Sequence, residues 1–165
     1  MGYVEDFLSS DLSRNLDMMQ LNMNSLVELS HMFGGYFAAN DGGRILNVAS
    51  VASFVPGPNQ PVYYASKAFV RSFSRALSEK LKDRDISVTV LNPGATKTDF
   101  FKSAEAGFYT QGVSAESVAK DGYKAMMEGR PEITSGMSNK ILASVVSRLI
   151  PYNLQVRAVS SLGDI

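Results

Sequence analysis

The stretch Gly43-Arg44-Ile45-Leu46-Asn47-Val48-Ala49-Ser50 decides the fold. It is a short, nearly continuous apolar run that leaves the glycine turn Asp41-Gly42-Gly43 and stops at a serine. Such a run reads as a strand buried on both faces, the signature of a parallel sheet. Upstream, Leu12, Leu16, Met19, Met23, Leu26, Phe33 and Phe37 recur at steps of three, four or seven, which puts them on one face of a long helix. Ser10 or Asp11 can cap its start. Downstream, Pro56-Gly57-Pro58-Asn59 forbids regular structure. A second helix is predicted from about Val62 to Lys82, with Phe69, Phe73, Leu77 and Leu81 along one side. Ile86 to Leu91 is mostly β-branched and is the clearest strand in the chain, ending at Asn92-Pro93-Gly94. Ser114 is placed to cap a helix through Met127, closed by Gly129. Ile133-Thr134 reads as a last short strand, and Asn139 to Ser160 as one or two helices interrupted at Pro151.

Helix, strand, helix, strand, helix, strand is the alternation of an α/β fold, here a parallel sheet of about three strands flanked by helices. Residues 1–165 read as a single domain. In such sheets ligands bind beyond the carboxyl ends of the strands. Ala49-Ser50-Val51-Ala52-Ser53 and Asn92-Pro93-Gly94-Ala95-Thr96 lie at those ends, so chemistry is expected there.

Composition narrows the function. The 165 residues are 45% hydrophobic, and sixteen basic residues balance sixteen acidic ones. That leaves no cationic field for nucleic acid or anionic lipid. The absence of cysteine excludes disulfides, thiol catalysis and thiolate metal sites, and the lone His31 is too little for a histidine zinc site. His31 reads as a surface or packing residue on the first helix, and Met18, Met19 and Met23 as core or subunit-interface residues. No apolar run reaches the ~20 residues of a membrane span. Met1-Gly2-Tyr3-Val4-Glu5-Asp6 has neither the basic start nor the apolar core of a signal peptide, so a cytoplasmic protein is expected.

Tyr63 and Lys67 stand four apart at the start of the second helix, on one face and a turn from each other. A free phenol, with a pKa near 10, is a poor base at neutral pH. A neighbouring ammonium group favours the phenolate and makes Tyr63 a credible general acid/base. Ser50, at the end of the preceding strand, can hydrogen-bond a substrate carbonyl beside that phenol. Taken alone the pair is weak: with seven tyrosines, roughly 0.3 Tyr-x-x-x-Lys spacings arise by chance, and a solvated helix-face pair is its ordinary meaning. Ser50 by itself reads first as a turn residue.

The combination is more specific. Gly43 to Ser50, a proline turn, Tyr63-Tyr64-Ala65-Ser66-Lys67, and Leu91-Asn92-Pro93-Gly94-Ala95-Thr96-Lys97-Thr98 together resemble the short-chain dehydrogenase/reductase family. Ser50 precedes Tyr63 by the family's thirteen positions, and Gln20-Leu21-Asn22-Met23 resembles the segment holding the family's helix asparagine. Gly136-Met137-Ser138-Asn139 and Leu149-Ile150-Pro151 look like the tail of the DltE-like subgroup. The resemblance implies a Rossmann-type layered fold, here a partial one, and an NAD(P)-dependent oxidoreductase. It implies that Tyr63 protonates a carbonyl oxygen or removes a hydroxyl proton. Lys67 would lower the Tyr63 pKa and hold the nicotinamide ribose, and Ser50 would position the substrate oxygen. Asn22 would hold a water linked to Lys67. Pro93, Gly94 and Thr96, with the Thr98 hydroxyl, would orient the nicotinamide carboxamide.

Tyr64 lacks a lysine four residues on and reads as a packing or pocket-wall aromatic. Asp99 to Val113, with Phe100, Phe101, Phe108 and Tyr109, falls where the family carries a mobile lid, and a packed surface loop is the equal alternative. An apolar lid suggests a hydrophobic ketone, aldehyde or secondary alcohol. The family's Thr-Gly-x-x-x-Gly-x-Gly phosphate turn has no counterpart in this sequence, nor has the residue that chooses NADP or NAD. The chain therefore reads as the catalytic C-terminal portion of a reductase, holding only the nicotinamide end of the cofactor and inactive alone. Its first strand is expected to lie at an open edge. Two other readings compete. One is a non-catalytic partner that pairs with a full-length relative or forms a homo-oligomer. The other is a nucleotide-sugar epimerase or dehydratase, against which the Ala65-Ser66-Lys67 context and the Pro93-Gly94 spacing argue.

Overall fold

A computed structural model of the chain describes residues 6–98, 112–136, 139 and 149–161. Helix α1 (Leu12–Met19) is capped by Asp11, whose carboxylate accepts from the Ser13 N–H at 2.8 Å. It runs through one wide π-helical turn (Gln20–Asn24) into α2 (Ser25–Ala39). The turn after α2 is closed by Asp41 and Gly42, both in the left-handed region. Strand β1 (Gly43–Val48), a 3-10 turn (Val51–Phe54), α3 (Pro61–Leu81) and β2 (Ile86–Asn92) follow. Then come the short strands β3 (Thr96–Lys97) and β4 (Val113–Ser114), α4 (Ala115–Met127), β5 (Glu132–Thr134) and α5 (Tyr152–Ser161).

The main sheet has the order β1-β2-β5, all parallel, with Val48 opposite Leu91 and Asn92 opposite Thr134. The expected α/β architecture with a parallel sheet between helices is thus what the chain adopts. Ala49, Val70 and Val90 form the core between sheet and α3, with Leu26 of α2 against them. On the other face α4 comes close at Gly122, where an added Cβ would lie 2.7 Å from a Leu91 methyl.

Three expectations need correction. The predicted long helix is interrupted by the wide turn, and its predicted stripe is largely exposed at Leu12, Leu16, Met19 and Phe33. The buried residues on these helices are instead Met18, Ser30 and Gly34. On α3 the buried line is Ser66, Val70 and Ser74, while Phe69 and Phe73 stack on each other farther out. Small side chains bring the helix close to the sheet, and their hydroxyls are satisfied: Ser74 Oγ accepts from Asn47 Nδ2 at 2.9 Å. Finally, β1 is not buried on both faces. It is one of the two edge strands of this sheet, the open edge expected of it, and Val48 is 48% exposed. The aromatic loop expected as a lid lies outside the described residues, apart from its last two positions. No helix among the described residues is long and apolar enough to cross a membrane.

Candidate active site

β1 and β2 end side by side, and their carboxyl ends are stitched together. The Ala49 N–H donates to Leu91 O at 2.8 Å and the Val51 N–H to Pro93 O at 2.9 Å. Ser50 therefore leaves the sheet next to the Pro93-Gly94 turn. Its Oγ accepts from the Ala52 N–H at 3.1 Å, capping the 3-10 turn, and its hydroxyl also hydrogen-bonds the Tyr63 phenol. Two side chains thirteen positions apart are thus brought into contact.

Tyr63 is set by the first turn of α3, which Pro61 opens. Lys67, one turn on, places Nζ 5.9 Å from the centre of the Tyr63 ring and donates to Val48 O at 3.1 Å. Tyr64 stands edge-on to Tyr63, with ring centres 6.0 Å apart, and its ring covers Gly57 so closely that a Cβ there would lie 2.3 Å away. It is a packing aromatic, as its lack of a lysine partner suggested. Asn22 sits in the wide turn between α1 and α2 and reaches α3: its Nδ2 donates to Ser66 Oγ at 3.1 Å, while Ser66 Oγ donates to Tyr63 O at 2.8 Å. Helical π-turns often mark functional positions, and this one carries the Asn22 that reaches the Tyr63–Lys67 segment.

The electrostatics differ from the expectation. Burial pushes the Tyr63 phenol above its usual pKa, and the Ser50 hydrogen bond offsets this only in part. Burial also lowers Lys67. A lysine bound to the Val48 carbonyl does not overcome the phenol's desolvation here, so Tyr63 is held as the neutral acid at neutral pH.

At the second strand end, Thr96 Oγ1 donates to Gly94 O at 2.9 Å and Thr98 Oγ1 to Thr96 O at 3.5 Å. Gly94 has no room for a side chain, since a Cβ would meet the Asn139 amide at 2.0 Å. Asn139 is itself held by the Ser135 carbonyl at 2.8 Å. Pro93 and Gly94 thus turn beside Ser50, and Thr96 and Thr98 follow in β3 and just after it. Sequence reasoning singled out neither Asn139 against Gly94 nor the buried Asn92. The only available signal was a polar residue ending a β-branched strand.

Among known proteins, the sequence model described as short chain dehydrogenase matches residues 2–107. Human 17-beta-hydroxysteroid dehydrogenase type 3 is 31% identical over 134 residues, 81% of this chain and 42% of that protein. The uncharacterized oxidoreductase DltE of Bacillus subtilis is 30% identical over 121 residues, 72% of this chain and 48% of that one. The chain spans about half the length of the curated relatives it matches. Among solved structures, a short-chain dehydrogenase from Sphingobium yanoikuyae in complex with NADPH superposes with a TM-score of 0.78 at 21% identity. That superposition covers 100% of this chain and 62% of the other. A 7beta-hydroxysteroid dehydrogenase gives a TM-score of 0.83 at 19% identity, covering 97% and 63%. Sequence and fold agree: the chain belongs to the short-chain dehydrogenase family.

Proposed function

We propose that the chain carries the proton-transfer centre of an NAD(P)-dependent oxidoreductase that interconverts a hydrophobic carbonyl compound and its secondary alcohol. The observation that carries this reading is the Ser50–Tyr63 hydrogen bond, with Lys67 Nζ 5.9 Å from the same ring, at the carboxyl end of the sheet. Two hydroxyls converging on one point suit a carbonyl oxygen, and a phenol kept protonated by burial suits the general acid of a reduction.

The donor set fits the nicotinamide end of a dinucleotide: an ammonium and a phenol on one side, and the Pro93-Gly94 turn bonded to the Val51 N–H on the other. Lys67 and Tyr63 would hold the ribose, and Pro93, Gly94, Thr96 and Thr98 the carboxamide. When bound, the nicotinamide supplies or takes up the hydride. In reduction, Tyr63 gives its proton to the substrate oxygen while Ser50 holds that oxygen in place, and in oxidation the proton returns to Tyr63. Lys67 keeps a positive charge near the phenolate left behind, and Asn22 ties the helix turn to this segment through Ser66. The apolar residues Phe100, Phe101, Phe108 and Tyr109 of the sequence, and relatives named for steroid substrates, favour a hydrophobic substrate.

These residues reach only one end of the cofactor, so the 165-residue chain by itself is expected to bind NADPH or NADH weakly and to turn over poorly. Steady reduction of a carbonyl panel by the purified chain would overturn that expectation. In a longer active form carrying these residues, Tyr63→Phe should cut kcat by about 10²–10⁴-fold and leave cofactor affinity nearly unchanged. Undiminished kcat would remove Tyr63 from its role.

A further inference from the structure

Asn92, the last residue of β2, is 0% exposed although it is polar, and both ends of its amide are engaged. Nδ2 donates to Glu132 Oε1 at 2.9 Å, and Oδ1 accepts from Ser53 Oγ at 3.4 Å. The Glu132 carboxylate accepts from Arg71 Nε at 2.5 Å and from Arg71 Nη2 at 3.3 Å, with Arg75 Nε 3.5 Å away. The Arg71 guanidinium lies 4.1 Å from the centre of the Phe54 ring.

The position of this network in the chain matters more than its strength. Ser53 and Phe54 belong to the turn that Ser50 opens, and Asn92 immediately precedes Pro93-Gly94. Arg71 stands one helical turn beyond Lys67 and two beyond Tyr63 on α3. Glu132, at the start of β5, joins all three segments. A partly buried ion pair is a poor source of stability, because desolvation and solvent screening consume most of its Coulombic gain, whereas its geometry is strict. A forked guanidinium on a carboxylate fixes both partners in a plane, and a doubly bound amide fixes a third.

We propose that Glu132 is a positioning residue: through Asn92, Ser53 and Arg71 it sets the Ser50 turn, the Tyr63–Lys67 helix face and the Pro93-Gly94 turn in register. This rests on the reading of Tyr63 and Ser50 given above. Among the described residues, Lys67 and Ser50 face the phenol and Ser10, Asn15, Asn59 and Gln60 share a cavity with Tyr63; loosening the turn weakens the Ser50 hydrogen bond that favours phenolate.

The test is the titration of Tyr63 in the purified chain, followed by the NMR signal of its ring carbon and assigned by the Tyr63→Phe spectrum. Glu132→Ala should lower the phenolate-to-phenol ratio at a given alkaline pH about threefold or more. Glu132→Gln, which keeps an acceptor for Asn92, should restore most of it. Arg71→Lys, which keeps a cation but loses the fork and the Phe54 stack, should fall between and serves if Glu132→Ala does not fold. Thr89→Ala is the control. It removes a hydrogen bond to Arg130 O, 2.6 Å long, from the same strand without touching the network. It should lower the thermal midpoint and leave Tyr63 unmoved. If the folded Glu132 and Arg71 variants titrate as the parent does while losing stability as Thr89→Ala does, Glu132 is purely structural and the proposal fails. Undiminished kcat of Tyr63→Phe in an active form, together with the Tyr63 shift in the Glu132 variants, would defeat the oxidoreductase reading and leave the positioning role standing.

Discussion

At Tyr63 and Lys67, burial acts in opposite senses on two groups a helical turn apart, and the consequence is readable in stability against pH. The Tyr63 pKa is raised in the folded chain, so the native state holds that proton more tightly than the unfolded one. Its contribution is fully present below the ordinary phenol pKa near 10 and is lost as pH rises through the folded value. The Lys67 pKa is lowered, so its burial penalty applies at neutral pH and is relieved as pH climbs from the folded value towards the ordinary 10.5. Urea midpoints measured from neutral to strongly alkaline pH should therefore show Tyr63→Phe losing less stability than the parent above pH ~10. Lys67→Met should lack the parent's relative gain just below that range. Parallel curves for parent and Tyr63→Phe would mean that the phenol is not buried as described.

At the level of elements, the wide turn Gln20–Asn24 carries Asn22, which follows the buried Met18 by four positions and reaches Ser66 of α3. Asn22→Ala removes one partly buried hydrogen bond at 3.1 Å and should cost about 1 kcal/mol in chemical denaturation. A loss below a few tenths would show that the bond is not formed in solution. Hydrophobic period and turn chemistry made the order of helices and strands legible, because Asp41-Gly42-Gly43, Asn92-Pro93-Gly94 and Ser114 punctuate the chain locally. They could not show which face of a helix is buried. On α3 the core line is two serines and a valine, since the partner of Ser74 is Asn47 and that of Ser66 is Asn22, pairings that only tertiary structure brings together. The four motif positions Asn22, Ser50, Tyr63 and Lys67 were legible as residue types at family spacing. The Asn92–Glu132–Arg71 network was not, because its members are separated by 21 to 61 positions and each looks like an ordinary polar residue.

For the whole molecule, the unexplained quantity is apolar surface. Leu29, Met32, Phe33 and Tyr36 follow one another at helical spacing on α2, and each is 46–62% exposed. Leu12 and Leu16 of α1 and Phe69 of α3 are exposed as well. Scattered surface leucines are ordinary, but a stripe of four large side chains along one helix is the kind of face proteins cover. A second copy of the chain would cover it. A two-fold axis along α2 would place the stripe against itself, as an isologous contact requires, and the balanced net charge offers no long-range repulsion. Sedimentation of the purified chain should then show a monomer–dimer equilibrium that moves with concentration. Met32→Glu combined with Phe33→Glu should weaken the dimer at least tenfold, since two buried carboxylates on each side face each other across the axis. Neither residue contacts Ser50, Tyr63 or Lys67 in the structure, so the thermal midpoint of the dilute monomer should change little. A parent chain that sediments as a monomer over the whole soluble range would leave the α2 stripe exposed and exclude self-association as its purpose.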